Sequence, residues 1–63
     1  AALSPRELDV VTLAAQGLRN KQIAEKLFIS EATVKIHLHN IYEKLNIGNR
    51  VELSLYAREK GLA

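Results

Sequence analysis

Apolar residues recur at helical spacing in four segments of the chain, separated by short polar breaks. Projected at roughly 100° per residue, Leu8, Val11 and Ala15 share one face of the first segment, with part of Val10 and Ala14. Ile23, Ala24 and Leu27 do the same in the second, and Val34, Leu38, Ile41 and Leu45 in the third. In the fourth, Leu53, Tyr56 and Ala57 gather on one side, while Val51 and Leu55 gather nearly opposite, flanked by Ser54 and Arg58. No segment alternates with the two-residue period of a strand over a useful length, and no internal repeat or low-complexity stretch is present. The pattern predicts an all-α, four-helix bundle-like domain with helices at about 5–15, 21–27, 31–45 and 50–60.

Local punctuation supports those boundaries. Ser4 and Glu7 stand at the two positions of a capping box, Pro5 occupies the first helical position, and Leu3 and Leu8 fit a hydrophobic staple. Gly17 suits a left-handed stop to the first helix. Asn20 is placed to cap the second helix and Ser30 the third, with Glu31 in the favourable first turn. Gly48 and Asn49 break the chain again, Asn49 and Glu52 form a second capping arrangement, and Gly61 ends the fourth helix.

Only Phe28, Ile29 and Ser30 lie between the second and third helices. A link that short forces a sharp angle, and the small Ala24 lets the two helices approach closely. This spacing is that of a helix-turn-helix, although an ordinary helical interaction domain has it too. The third helix then poses a problem: Ile36 projects away from the core face, among Ala32, Lys35, His39 and Glu43. A scattered apolar surface residue is common. In a helix-turn-helix, however, the second helix of the pair enters the major groove of DNA. There Lys35 meets guanine acceptors, Ile36 meets a thymine methyl, and His39 donates to a base or a phosphate. Asn20 and Lys21 open the second helix, where outward N–H groups attract anions. Thr33 offers a hydroxyl, and Lys44 and Arg50 lie within reach of a phosphate backbone. His37 falls at the border of the core face and suits either a partly buried, hydrogen-bonded ring or a phosphate contact.

The net charge is only +2 over 63 residues, but its distribution is uneven. Residues 19–50 carry six cations against three glutamates, so the positive excess sits mid-chain. That suits either a solvated surface or an anionic partner. The chain has no cysteine, so disulfides and thiolate metal sites are excluded, and a cytoplasmic setting is expected. No apolar run is long enough to span a membrane. The amino end lacks a signal-peptide pattern. It opens directly on a helix cap, which predicts that residues 1–63 are one domain cut from a longer regulator. Catalysis is disfavoured: His37 and His39 point roughly 200° apart on a helix and cannot share a metal, and no nucleophile, base and acid fall in a recognisable order.

The stretches Leu3-Ser4-Pro5-Arg6-Glu7, Gly17 to Ala24 (GLRNKQIA), Leu27 to His37 (LFISEATVKIH) and Leu45 to Leu53 (LNIGNRVEL), in this order and at these separations, resemble the LuxR/NarL/FixJ-type DNA-binding domain. The resemblance covers residues 3–62. It implies sequence-specific binding of double-stranded DNA for bacterial transcription control, with the third helix in the major groove. It assigns base contacts to Lys35, Ile36 and His39, and backbone contacts to Asn20, Lys21, Thr33 and His37. Many members resemble a lysine-bearing pattern at position 39, so histidine there alters that contact. The fourth helix of such domains pairs two copies on adjacent half-sites, which gives Val51, Ser54, Leu55 and Arg58 a use at a small two-fold contact. A patch that small implies a monomer in dilute solution. RNA polymerase is an implied partner, an amino-terminal receiver or sensor domain is implied, and no cofactor is. A small helical protein-interaction module is the alternative reading.

Overall fold

The computed structural model describes residues 2–62, so the outermost ends of the expected domain, Ala1 and Ala63, lie outside the described residues. It contains four helices: α1 (Pro5–Ala15), α2 (Asn20–Leu27), α3 (Glu31–Leu45) and α4 (Arg50–Glu59). Helix α1 packs mainly on α4 and α2 mainly on α3, with α1 also touching α2 and α3. Val10, Val11, Ile23, Val34, Ile41 and Leu53 are the largest fully buried side chains. They come from all four helices, so the helix-turn-helix pair shares one core with the helices on either side of it.

The first helix starts as its sequence predicts. The backbone N–H of Glu7 donates to Ser4 Oγ at 3.2 Å, and Ser4 N–H donates to Glu7 Oε1 at 2.8 Å. Its rotation differs from expectation. Glu7, Val10, Val11 and Ala14 form the buried face, while Leu8 is 36 % exposed and Ala15 is half-buried. The buried stripe therefore lies N-terminal to the Leu8–Val11–Ala15 line. The reason is Glu7, whose Oε1 also accepts a hydrogen bond from Lys44 Nζ on α3 at 2.7 Å. That bond satisfies the buried carboxylate and turns its side of α1 inward. Lys44 and the Ser4 backbone together hold the Glu7 carboxyl below its ordinary value, against a smaller upward push from burial.

Gly17 stops α1 at φ +91°, a conformation open to glycine at little cost. Helix α2 begins one residue earlier than expected. Arg19, not Asn20, is its cap residue, and its N–H donates to Gln22 Oε1 at 2.9 Å. Asn20 is already helical because its side chain is engaged elsewhere, with Arg50. Ser30 caps α3 as expected, accepting from Thr33 N–H at 3.0 Å. Asn49 caps α4 by accepting from Glu52 N–H at 3.0 Å. The reciprocal bond differs from a true box: Glu52 Oε2 accepts from Gly48 N–H at 2.9 Å rather than from Asn49. Lys60 is the C-cap of α4, so that helix ends one residue short of the expected boundary.

Candidate nucleic-acid interface

The turn between α2 and α3 is made by residues 28–30. Phe28 takes a left-handed conformation (φ 57°, ψ 43°), and its N–H donates to the Ala24 carbonyl. Ile29 N–H donates to the same carbonyl at 3.0 Å. These bonds close the end of α2 and swing the chain sharply into α3. Ala24 is buried at 5 % exposure, where its single methyl permits the close approach of the two helices.

Helix α3 is the longest element, with 15 residues. At 1.5 Å per residue it measures about 22 Å, close to the 26 Å long dimension of the molecule. Val34, Leu38 and Ile41 anchor it in the core, and Leu45 is half-buried. Its opposite face is open: Ala32, Lys35, Ile36, His39, Asn40 and Glu43 are all exposed. Ile36 exposes 60 % of its surface. The three residues expected at base edges therefore lie together on one outward face. His39 Nε2 stands 3.0 Å from Glu43 Oε1, one turn along that face.

The residues expected at phosphates are in more varied settings. Lys21 is exposed in the first turn of α2. Thr33 is half-buried, its hydroxyl 2.9 Å from that of Ser30 at the start of α3. His37 is half-buried and makes no side-chain hydrogen bond among the described residues. Lys44 is held by Glu7 and keeps 35 % exposure. Arg50 reaches from the first turn of α4 to the α1–α2 turn. Its Nη1 donates to the Leu18 carbonyl at 3.0 Å, and its Nη2 donates to Asn20 Oδ1. An open depression of about 800 Å³ lies at this junction, lined by Arg19, Asn20, Lys21 and Arg50 with Val51 and Ser54 beside them. Lys21 thus has no side-chain partner among the described residues at the opening of α2, while Arg50 and Asn20 brace each other nearby.

On α4, Leu53 and Ala57 are buried and Tyr56 is half-buried, as the projection requires. Val51 and Leu55 remain 71 % and 49 % exposed on the other side, with Ser54 half-buried and Arg58 exposed. Two further features, one in the α2–α3 turn and one on α3, went unread in the sequence. Phe28 is 94 % exposed, and no periodicity covers a single turn residue. The His39–Glu43 contact was available from their four-residue separation on a helix. Among the described residues there is no group of three or more His, Asp or Glu placed to hold a metal ion. No helix among the described residues is long and apolar enough to cross a membrane.

Comparison with known proteins agrees with this geometry. The sequence profile of the bacterial regulatory proteins of the luxR family (GerE) matches residues 1–57. The nitrate/nitrite response regulator protein NarP of Escherichia coli is 50 % identical over 62 residues, covering 97 % of this chain and 29 % of NarP. The oxygen regulatory protein NreC of Staphylococcus carnosus is 50 % identical over 60 residues, covering 95 % of this chain and 28 % of NreC. The crystal structure of the response regulator ChrA, from a heme-sensing two-component system, superposes with a TM-score of 0.89 at 51 % identity, over all of this chain and 31 % of ChrA. The chain thus spans under a third of the length of these relatives. It belongs to the luxR family of bacterial regulatory proteins, a family of DNA-binding transcription regulators and not of enzymes.

Proposed function

We propose that this chain is the DNA-binding domain of a longer bacterial transcription regulator, and that α3 enters the major groove of double-stranded DNA. The observation that carries the reading is Ile36, an isoleucine left 60 % exposed between Lys35 and His39 on the outward face of α3. A helix about 10–12 Å across fits a groove about 12 Å wide. Lys35 then donates to guanine O6 or N7, Ile36 packs on a thymine methyl, and His39 meets the next base edge. Lys21 and the opening turn of α2 receive one phosphate, and Thr33 and His37 flank the other strand. Lys44 and Arg50 reinforce the positive field around these contacts while also bonding within the protein.

Val51, Ser54, Leu55 and Arg58 pair two copies when DNA brings half-sites together. The relatives being response regulators, the rest of the protein supplies a receiver or sensor domain. The protein works in the cytoplasm and acts on RNA polymerase.

Binding-site selection from random duplexes, followed by affinity measurement across salt concentrations, tests the reading. Enrichment of one motif is expected, together with a steep fall in affinity as salt rises, because each neutralised phosphate releases counterions. Binding that ignores salt, with no enriched motif, would instead mark a protein-interaction module.

A further inference from the structure

Glu43 has no role in the DNA contacts proposed above, and its position is unfavourable for them. It lies about 40° around the helix from His39 at 100° per residue, on the face that meets DNA. A carboxylate there is repelled by phosphates and lowers affinity for every sequence. A feature that weakens all binding can still sharpen a choice between sequences.

The choice follows from His39. Its Nε2 lies 3.0 Å from Glu43 Oε1, and both side chains are largely exposed, at 72 % and 69 %. Two lone pairs would repel at that separation, so Nε2 carries a proton. An uncharged imidazole carries one N–H only. With that N–H directed at Glu43, Nδ1 is left with a lone pair and can only accept. In the major groove the bases that donate are adenine, through N6, and cytosine, through N4. Guanine and thymine present acceptors at O6, N7 and O4.

We propose that Glu43 is a positioning residue that sets the base preference of His39, holding the imidazole as an acceptor and selecting adenine or cytosine on the strand it meets. The inference rests on α3 being the groove-entering helix.

Binding-site selection at mildly alkaline pH tests it with the wild type, H39A, E43Q and E43A. The base position read by residue 39 is the one whose preference H39A abolishes. The wild type is expected to enrich adenine or cytosine there. E43Q keeps an amide oxygen that accepts from Nε2, so it binds every sequence more tightly without changing that base. E43A frees either ring nitrogen to donate or accept, so the preference for adenine or cytosine on the same strand falls by roughly 2- to 10-fold in favour of guanine or thymine. An E43A variant that tightens binding uniformly, with the base unchanged, shows that Glu43 acts only as a charge and overturns the proposal. So does an E43Q variant that shifts preference as E43A does. If the wild type enriches no motif at all, the groove reading itself fails and takes this inference with it. A clear motif that is indifferent to residue 43 removes this inference alone.

Discussion

Phe28 holds φ at 57° with 94 % of its surface exposed, two unfavourable conditions for a bulky residue. A left-handed conformation costs roughly 1–2 kcal/mol for an L-residue, and glycine returns part of that through its larger unfolded-state entropy. Phe28→Gly is therefore expected to raise stability by about 0.5–1 kcal/mol, seen as a rise of a few degrees in thermal melts. An unchanged or lowered Tm would show that the ring makes contacts that compensate the backbone. At the opposite extreme, Lys35 contributes little to folding and much to the proposed reading of DNA. Lys35→Ala should cost about 1–3 kcal/mol of discrimination at one base position, measured by competition between single-base variants of the selected site. An equal loss on all sequences would make Lys35 a phosphate contact instead. Single residues were legible in the sequence where their chemistry is local. Ser4 and Glu7 declared a capping box within four positions, and Ile36 declared itself by facing away from its neighbours' core. What hid was Phe28's exposure, since a lone turn residue has no periodic partner, and Arg19's capping place, since Asn20 has the better capping chemistry but bonds to Arg50, 30 positions away.

Among the elements, the ion pair that joins α1 to α3 sets a pH dependence. Glu7 is buried at 4 % exposure, and its carboxyl is held below its ordinary value near 4.5, first by the hydrogen bond from Lys44 and then by the Ser4 backbone. The unfolded chain keeps the ordinary value, so the ionised group binds its proton more weakly when folded. Its contribution to stability is complete above about pH 4.5 and is lost as pH falls through the lower folded value. Urea unfolding between about pH 7 and about pH 3 should show Glu7→Gln less stable than the wild type at neutrality, with the gap closing in acid. A constant gap would mean that packing, not charge, accounts for the loss. Lys44→Ala leaves the buried carboxylate short of its main partner. It should destabilise by about 1–2 kcal/mol, toward the low end for a charged hydrogen bond because Lys44 is 35 % exposed. Element positions were well marked by caps and by Gly17 and Gly61, which stop their helices at positive φ. The rotation of α1 was not, because periodicity counts only apolar residues. It could not see that a glutamate would be drawn inward by a lysine 37 residues away.

For the molecule as a whole, the four helices share so small a core that pairing of copies must come from outside it. The Val51 and Leu55 patch is far smaller than the roughly 800 Å² per partner of a stable interface. Sedimentation of the chain without DNA should therefore give a monomer, and a tight dimer would contradict the proposed arrangement. Leu55→Asp should leave binding to one half-site intact while weakening cooperative binding to paired half-sites several-fold, in gel-shift titrations on the two DNAs. The overall architecture was readable because each helix carried an apolar stripe, and α1, α3 and α4 also carried the start signal that caps them. The brace between α4 and α2 was not, since neither Arg50 nor Asn20 differs in sequence from an ordinary surface residue. That brace has its own outcome. Arg50 grips the Leu18 carbonyl and Asn20 from the first turn of α4, next to Val51. In the proposed pairing, a second copy leaning on α4 would press, through one guanidinium, on the opening of α2 proposed to receive a phosphate. On that reading, holding a twin and clasping the sugar–phosphate rail would be a single mechanical act. Shortening that strut by Arg50→Lys should uncouple them, leaving each copy able to settle alone while the pair loses its mutual help.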